Sequence, residues 1–327
     1  MSALRSLTLD RDYQCPVDQF GSLAPTLRCL KLYTFPLHPS FLRLRDLTEL
    51  ALKTHDFPLH SDTLLDFLEE NRSLESVTLD IRIEKGSLRS SQRQAPIENR
   101  LRHLSVSGSK MDIKPVVSNI ALQRGAHLEI ISGSGVKMKH ILSGLPTAHL
   151  LNLSSPIFME YQSTKRRTRL IGPNGSFSFL ESHDSTAFAG FSLLPLANVR
   201  EVHLMFHELQ SEPSFAVFNM SFFPALETFA VDDVHVSRPL SQLFSNPSFS
   251  PSLKTLAFLN CDLSGDFMGE LTKFASDRRK TTSAWLRRVV IVDSKGNLPS
   301  VDSMDVLGKH VPIVDARVGK ELPTDLA

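Results

Sequence analysis

The sequence predicts an α/β solenoid, a curved parallel β-sheet with helices and irregular turns on its convex side. Three observations predict it. One apolar phrase, with residues spaced i, i+3 and i+5, returns along nearly the whole chain. Its starts run from Leu4 to Ile313 at a mean spacing of about 26 residues, which makes about thirteen units. Helical patterns and turn signals fill the intervals, so the cycle reads strand, turn, helix.

The phrase opens at Leu4-Leu7-Leu9 and returns as Leu27-Leu30-Leu32, Leu47-Leu50-Leu52, Leu74-Val77-Leu79 and Leu101-Leu104-Val106. It weakens through Leu128-Ile130, Ala148-Leu151-Leu153 and Phe177-Phe179. It then recovers at Val199-Val202-Leu204, Leu226-Phe229-Val231, Leu253-Leu256-Phe258 and Leu286-Val289-Ile291, and closes at Ile313-Ala316-Val318. The last two members of each triplet are two residues apart, so they share one side of a short strand, and the residues between them point outward. Ten positions after the first member a further apolar residue, Leu37, Phe57, Met111, Phe158, Leu209, Val236 or Leu263, is expected to turn the chain back into the core. The segment from Leu253 to Leu263 carries Cys261 where a leucine-rich repeat has Asn or Cys, so the predicted fold is a leucine-rich repeat solenoid.

Helical spacing appears at Leu64, Leu65 and Leu68 behind a cap at Ser61, and at Phe267, Leu271 and Phe274 behind Ser264. Arg278, Arg279 and Lys280 end the second helix, where cations favour the negative end of the dipole. Val116, Val117 and Ile120 suggest another helix, closed by Gly125. Residues 1–327 read as a single repeat domain with two departures. The polar stretch 82–99 predicts a loop, and 156–180, with Pro173-Asn174-Gly175 between β-like runs, predicts a hairpin insertion.

Of 327 residues, 41% are hydrophobic and 22% charged, with a formal charge of +1, so no global field favours nucleic acid or an anionic membrane. No apolar run is long enough for a membrane span, and the amino end lacks the apolar core of a signal peptide. The expected compartment is intracellular, cytoplasmic or nuclear. Cys15, Cys29 and Cys261 form no CxxC pair and read as reduced thiols. The Asn-x-Ser tripeptides at Asn71, Asn152, Asn174 and Asn219 need a secretory route that nothing else supports.

Motifs for chemistry are weak. Gly133-Ser134-Gly135 follows a strand pattern but has Met138 where a dinucleotide fingerprint needs its third glycine. His203 and His207 lack the His-Glu-x-x-His context of a metal helix. Lys165-Arg166-Arg167-x-Arg169 and Arg287-Arg288 lack interleaved aromatics for single-stranded nucleic acid. No catalytic residue, cofactor or metal ligand is expected. Function is expected instead on the outward strand positions, which stack into columns on the concave face. These include Lys31, Tyr33, Glu49, Lys53, Glu201, His203 and Arg288, with Thr228, Ala230, Asp232, Val290 and Val292 in the same rows. Mixed charges and an aromatic on a rigid sheet suit a protein ligand.

The irregular repeats resemble the leucine-rich repeat half of fungal F-box proteins, over nearly the whole chain. In that family an F-box docks a Skp-type adaptor of a cullin ubiquitin ligase, and the repeats capture the protein to be modified. Here Leu4-Arg5-Ser6-Leu7 already begins a repeat, so the resemblance implies Skp and cullin as partners only if a longer chain supplies an F-box. The alternatives are a free-standing repeat scaffold or sensor and, more distantly, a nucleotide- or metal-dependent enzyme using Gly133-Ser134-Gly135 or His203 and His207. An uncovered first strand at Leu4 would also invite association at the amino end.

Overall fold

Most of the described triplets become strands with their apolar members on the buried side, and stacking carries the pattern from one repeat to the next. The computed structural model describes residues 4–10, 26–34, 37, 41–84, 97–133, 138–143, 155–162, 164–180, 191–206, 220–233, 244, 250–261, 263, 266–281 and 285–321, without the side chains of 54–56. In chain order the elements are β1 (Ser6–Leu9), β2 (Cys29–Tyr33), β3 (Glu49–Leu59), α1 (Ser61–Glu70), β4 (Ser76–Ile83), β5 (Ile97–Glu98), β6 (His103–Gly108), α2 (Lys110–Ser118), β7 (Ile120–Ala121), β8 (His127–Ser132) and α3 (Met138–Leu142). They continue with β9 (Phe158–Gln162), β10 (Arg167–Gly172), β11 (Gly175–Leu180), β12 (Glu201–Phe206), β13 (Thr228–Asp233), β14 (Thr255–Leu259), α4 (Phe267–Thr281), β15 (Arg288–Asp293), α5 (Val301–Gly308) and β16 (Ile313–Val318). The chain divides into two compact units, Met1–Ser154 with Pro173–Ser185, and Ser155–Gly172 with Thr186–Ala327. The strands of both are those of a leucine-rich repeat solenoid.

In the first unit β1, β2, β3, β4, β6, β8 and β11 lie side by side, all parallel. The register aligns Leu7, Leu30, Leu50, Val77, Leu104, Leu128 and Phe177 in one column. The residue before each of β2, β3, β4 and β6 repeats the same bond: Arg28 N–H donates to Arg5 O (2.8 Å), Thr48 to Arg28 O (2.7 Å), Glu75 to Thr48 O (2.9 Å) and Arg102 to Glu75 O (2.8 Å), and His127, the first residue of β8, donates to Arg102 O (2.7 Å). Buried Asn71 ties two repeats together, its Nδ2 donating to Leu44 O and Phe67 O while Oδ1 accepts from Leu47 N–H. Asp112 does similar work at the head of α2, accepting from Ser109 N–H (2.7 Å) and from Ile83 N–H (2.6 Å) at the end of β4.

In the second unit β9 pairs antiparallel with β10 on one side and parallel with β12 on the other, and β13, β14, β15 and β16 follow in parallel. Arg200, Glu227, Lys254 and Arg287 repeat the ladder-opening bond, Glu227 N–H to Arg200 O (2.7 Å), Lys254 to Glu227 O (2.8 Å) and Arg287 to Lys254 O (2.8 Å). Cys261, at the repeat's Asn/Cys position, is buried with its thiol toward Val231 O (3.5 Å) and Leu259 O (3.3 Å).

Several local expectations change. Leu37 and Leu263 turn inward and are buried, but Phe57 and Met111 are exposed. Phe57 lies in β3, which continues through a register shift to Leu59, and Met111 lies in the first turn of α2, where Ile113 points inward instead. Phe158 is not a turn residue but the first of β9, in register with Glu201. Ser61 is the first residue of α1, with His60 as its cap, and α2 stops at Asn119, so Ile120 belongs to β7 and Gly125 (φ 86°) serves a later turn. The last triplet shifts by two: Val314 and Ala316 align with Val289 and Ile291, Val311 is buried, and Ile313 and Val318 stand exposed. Ala148-Leu151-Leu153, Leu209, Val236, Ser264, Cys15, His207, Ser134-Gly135 and most of 82–99 lie outside the described residues.

Candidate functional site

Strict alternation of apolar and polar residues buries one side of a strand and leaves the other accessible. In β2 this buries Leu30 and Leu32 and leaves Cys29, Lys31 and Tyr33 half-buried; in β4 it buries Val77, Leu79, Ile81 and Ile83 and leaves Ser76, Thr78, Asp80 and Arg82 accessible. Parallel pairing then sets equivalent outward residues about 4.8 Å apart. One column is Cys29, Glu49, Ser76, His103, His127 and Ser176. The next is Lys31, Ala51, Thr78, Ser105, Glu129 and Ser178, and Tyr33, Lys53, Asp80 and Ser107 form a third.

Four of the candidate residues come together here. Lys31 Nζ reaches Glu49 Oε1 at 2.6 Å, and the Cys29 thiol donates to Glu49 Oε2 at 3.4 Å. The hydrogen bond from Lys31 holds the Glu49 carboxyl below the usual carboxylate range, and the same bond raises the Lys31 ammonium above its ordinary value. Burial pushes the Cys29 thiol up, so it stays protonated at neutral pH and is a poor nucleophile. Tyr33 stands opposite Lys53, whose carbonyl accepts from Thr34 N–H at 2.6 Å. This gives a fixed ion pair beside an aromatic and an exposed cation.

Sequence reasoning places His103, Ser105 and Ser107 outward but misses His127, Glu129 and Ser176 at the far end of this face. His103 and His127 stack with ring centroids 5.3 Å apart, His127 Nδ1 lies 2.7 Å from Ser176 Oγ, and Ser105 Oγ donates to Glu129 (3.0 Å). The signal was present, because the outward residues His127 and Glu129 alternate with the apolar pair Leu128 and Ile130. The weak triplet hid it.

The remaining candidates lie in the second unit. His203 Nε2 approaches Glu201 Oε1 at 2.7 Å without the alignment of a hydrogen bond, and its ring meets Phe158 edge-on at 5.0 Å. Arg288 lies 4.0 Å from Asp315 and is separated from Glu201 by β13 and β14. The outward rows are closed in the middle of this unit: Ala230, Ala257, Leu259, Val290 and Val292 form a buried cluster, and Asp232 and Thr228 are buried as well. The expected contact positions Ala230, Asp232, Val290 and Val292 are therefore not accessible. The unbroken apolar run Val289–Val292 is the mark of a strand buried on both faces.

The other motifs resolve into structural parts. Gly133 N–H donates to Gly108 O at 2.7 Å, so that backbone closes a repeat turn, and Met138 is buried on α3. Lys165 and Arg166 form the turn between β9 and β10, where Arg169 faces Glu160 across the pair. Among the described residues no three His, Cys, Asp or Glu side chains are grouped to hold a metal ion, and no helix is long and apolar enough to cross a membrane.

No protein-family profile matches the sequence, and no curated protein does. Among solved structures the chain is similar to the leucine-rich repeat-containing protein LegL7 of Legionella pneumophila, at 15% identity and a TM-score of 0.39, over 97% of this chain and 92% of that one. It is also similar to a protein of Bacteroides fragilis, at 12% identity and a TM-score of 0.35, over 68% of this chain and 67% of that one.

Proposed function

We propose that this chain is a non-enzymatic protein-interaction module that reads its partner with the outward face of β2, β3, β4, β6 and β8. The observation that carries the reading is the set of three in-register polar columns, anchored by the Lys31–Glu49 pair beside Tyr33 and Lys53. Mixed charges on a rigid sheet favour a protein surface over a uniform polyanion. The thiol on this face, Cys29, is held protonated and is a poor nucleophile. The resemblance to the repeat half of fungal F-box proteins supports a finer reading, in which the captured protein is a ubiquitin-ligase substrate. Skp and cullin would then join through an F-box on a longer chain.

Quantitative affinity purification from the source cells tests this with three baits: the unaltered chain, Tyr33→Ala/Lys53→Glu on the face, and Arg72→Glu at the exposed turn after α1. Partners of the unaltered chain should fall at least about tenfold with the face variant and stay with the turn variant. Equal recovery by all three baits sinks the assignment of the face. Skp and cullin among the partners support the ligase reading, and a partner set without them supports a free-standing scaffold.

A further inference from the structure

The last repeat differs from those before it in what it leaves uncovered. Val202, Phe229, Leu256 and Val289 fill one inward column and are fully buried, yet Val314 in the same register is only half-buried. Val318 is 64% exposed, Ile313 52%, and Val301 on α5 68%. Among the described residues β16 pairs with β15 alone, so its other edge presents a row of free backbone donors and acceptors, the arrangement that recruits a further strand.

The backbone parity limits what can dock there. Ile313 N–H donates to Arg287 O (3.1 Å) and Gly319 N–H to Asp293 O (3.2 Å). By strand alternation the odd residues bond β15, and Val314, Ala316 and Val318 turn their N–H and C=O groups to the open side. A second strand must form its hydrogen-bonded pairs with these three.

We propose that two copies of this chain join antiparallel along β16, with Ala316 opposite Ala316 on a two-fold axis and Asp315 of each copy facing Arg317 of the other. A two-fold axis makes an interface from one self-complementary patch, and the strand Ile-Val-Asp-Ala-Arg-Val has that property. In this register Val314 meets Val318 twice in hydrogen-bonded pairs, and Asp315 meets Arg317 twice in the closer non-hydrogen-bonded pairs. An axis at Asp315 or Arg317 would set like charges against each other, and one at Val314 or Val318 would face a charge with Ile313 or Gly319. Arg317 is exposed and has no ion-pair partner among the described residues, while Asp315 has only Arg288 at 4.0 Å. Intermolecular pairing supplies the missing partner.

Sedimentation of the full chain from about 1 to 100 µM reads the association directly. The unaltered chain should pass from monomer to dimer. Arg317→Asp and Asp315→Arg should each weaken dimerisation at least about tenfold, and mixing the two variants should restore it, because each then faces its opposite charge. Ala316→Pro should abolish it while leaving the fold unchanged by circular dichroism, since proline removes an N–H that β15 does not use. A monomer throughout, a dimer unmoved by Ala316→Pro, or folded charge variants that fail to associate when mixed would each overturn the proposal.

Discussion

Arg278 offers the sharpest test of how these repeats hold together. At the end of α4 its guanidinium is fully buried, 5.5 Å from the Phe274 ring centroid. Its Nη2 donates to three carbonyls of the turn one repeat earlier, Ser250 O (3.2 Å), Pro251 O (3.3 Å) and Leu253 O (3.1 Å). One NH2 group has two hydrogens, so the three contacts amount to two full bonds. Charge-assisted bonds contribute about 1.5 to 3 kcal/mol each, a gross of about 3 to 6 kcal/mol. The cost of burying the cation, the same burial that lowers its pKa, takes back part of this. Arg278→Met keeps the apolar stem and is expected to lose about 2 to 3 kcal/mol, and Arg278→Ala about 3 to 4 kcal/mol, through the added cavity. Arg278→Lys should recover little, because a point charge cannot reproduce the fork. Solenoids can unfold in steps, so urea unfolding should be paired with hydrogen exchange, where amides of β14 and α4 should lose protection first. If Arg278→Met costs less than about 1 kcal/mol, water satisfies those carbonyls and the bridging role is refuted.

Two further outcomes follow from the first unit. Asn71→Ala strands Leu44 O, Phe67 O and Leu47 N–H in the core, and should cost about 2 to 4 kcal/mol in chemical denaturation; a loss under about 0.5 kcal/mol would show that the bridge between repeats is dispensable. Glu49 has its pKa depressed by Lys31, so the pair's contribution is present above the ordinary carboxylate range and fades as pH falls through the depressed value; at the alkaline end it fades as pH rises through the raised value of Lys31. Lys31→Met should move the Glu49 titration, followed by carboxyl NMR, up toward that of a free glutamate, and an unmoved titration would contradict the ion pair.

Much of the fold can be read from local spacing. Leu30, Leu50, Val77 and Leu104 were legible as core because a three-and-two spacing puts them on one side of a strand whatever its neighbours are. Lys31, Tyr33, Glu49 and Lys53 were legible as outward for the same reason. Helix ends were less so. Arg278 looked like a dipole cation beside Arg279 and Lys280, yet it enters the core because the turn at Ser250–Leu253, a repeat away in sequence, brings three carbonyls to its guanidinium. The final triplet slipped by two residues because Val314, Ala316 and Val318 all share one side of the strand, and only pairing with Val289 and Ile291 chooses between the two frames.

Sequence alone determined the class of repeat, the side of the strand that each apolar residue takes and the polar character of the opposite side, because these depend on residues a few positions apart. The tertiary structure decided that β11 pairs with β8 and β9 with β12, and that the outward rows stay accessible around Lys31, Tyr33, Glu49 and Lys53 in the first unit but are closed over Ala230, Ala257 and Val290 in the second. The physical reason is that spacing encodes the direction of a side chain, whereas its access to solvent depends on whatever part of the chain comes to rest against it.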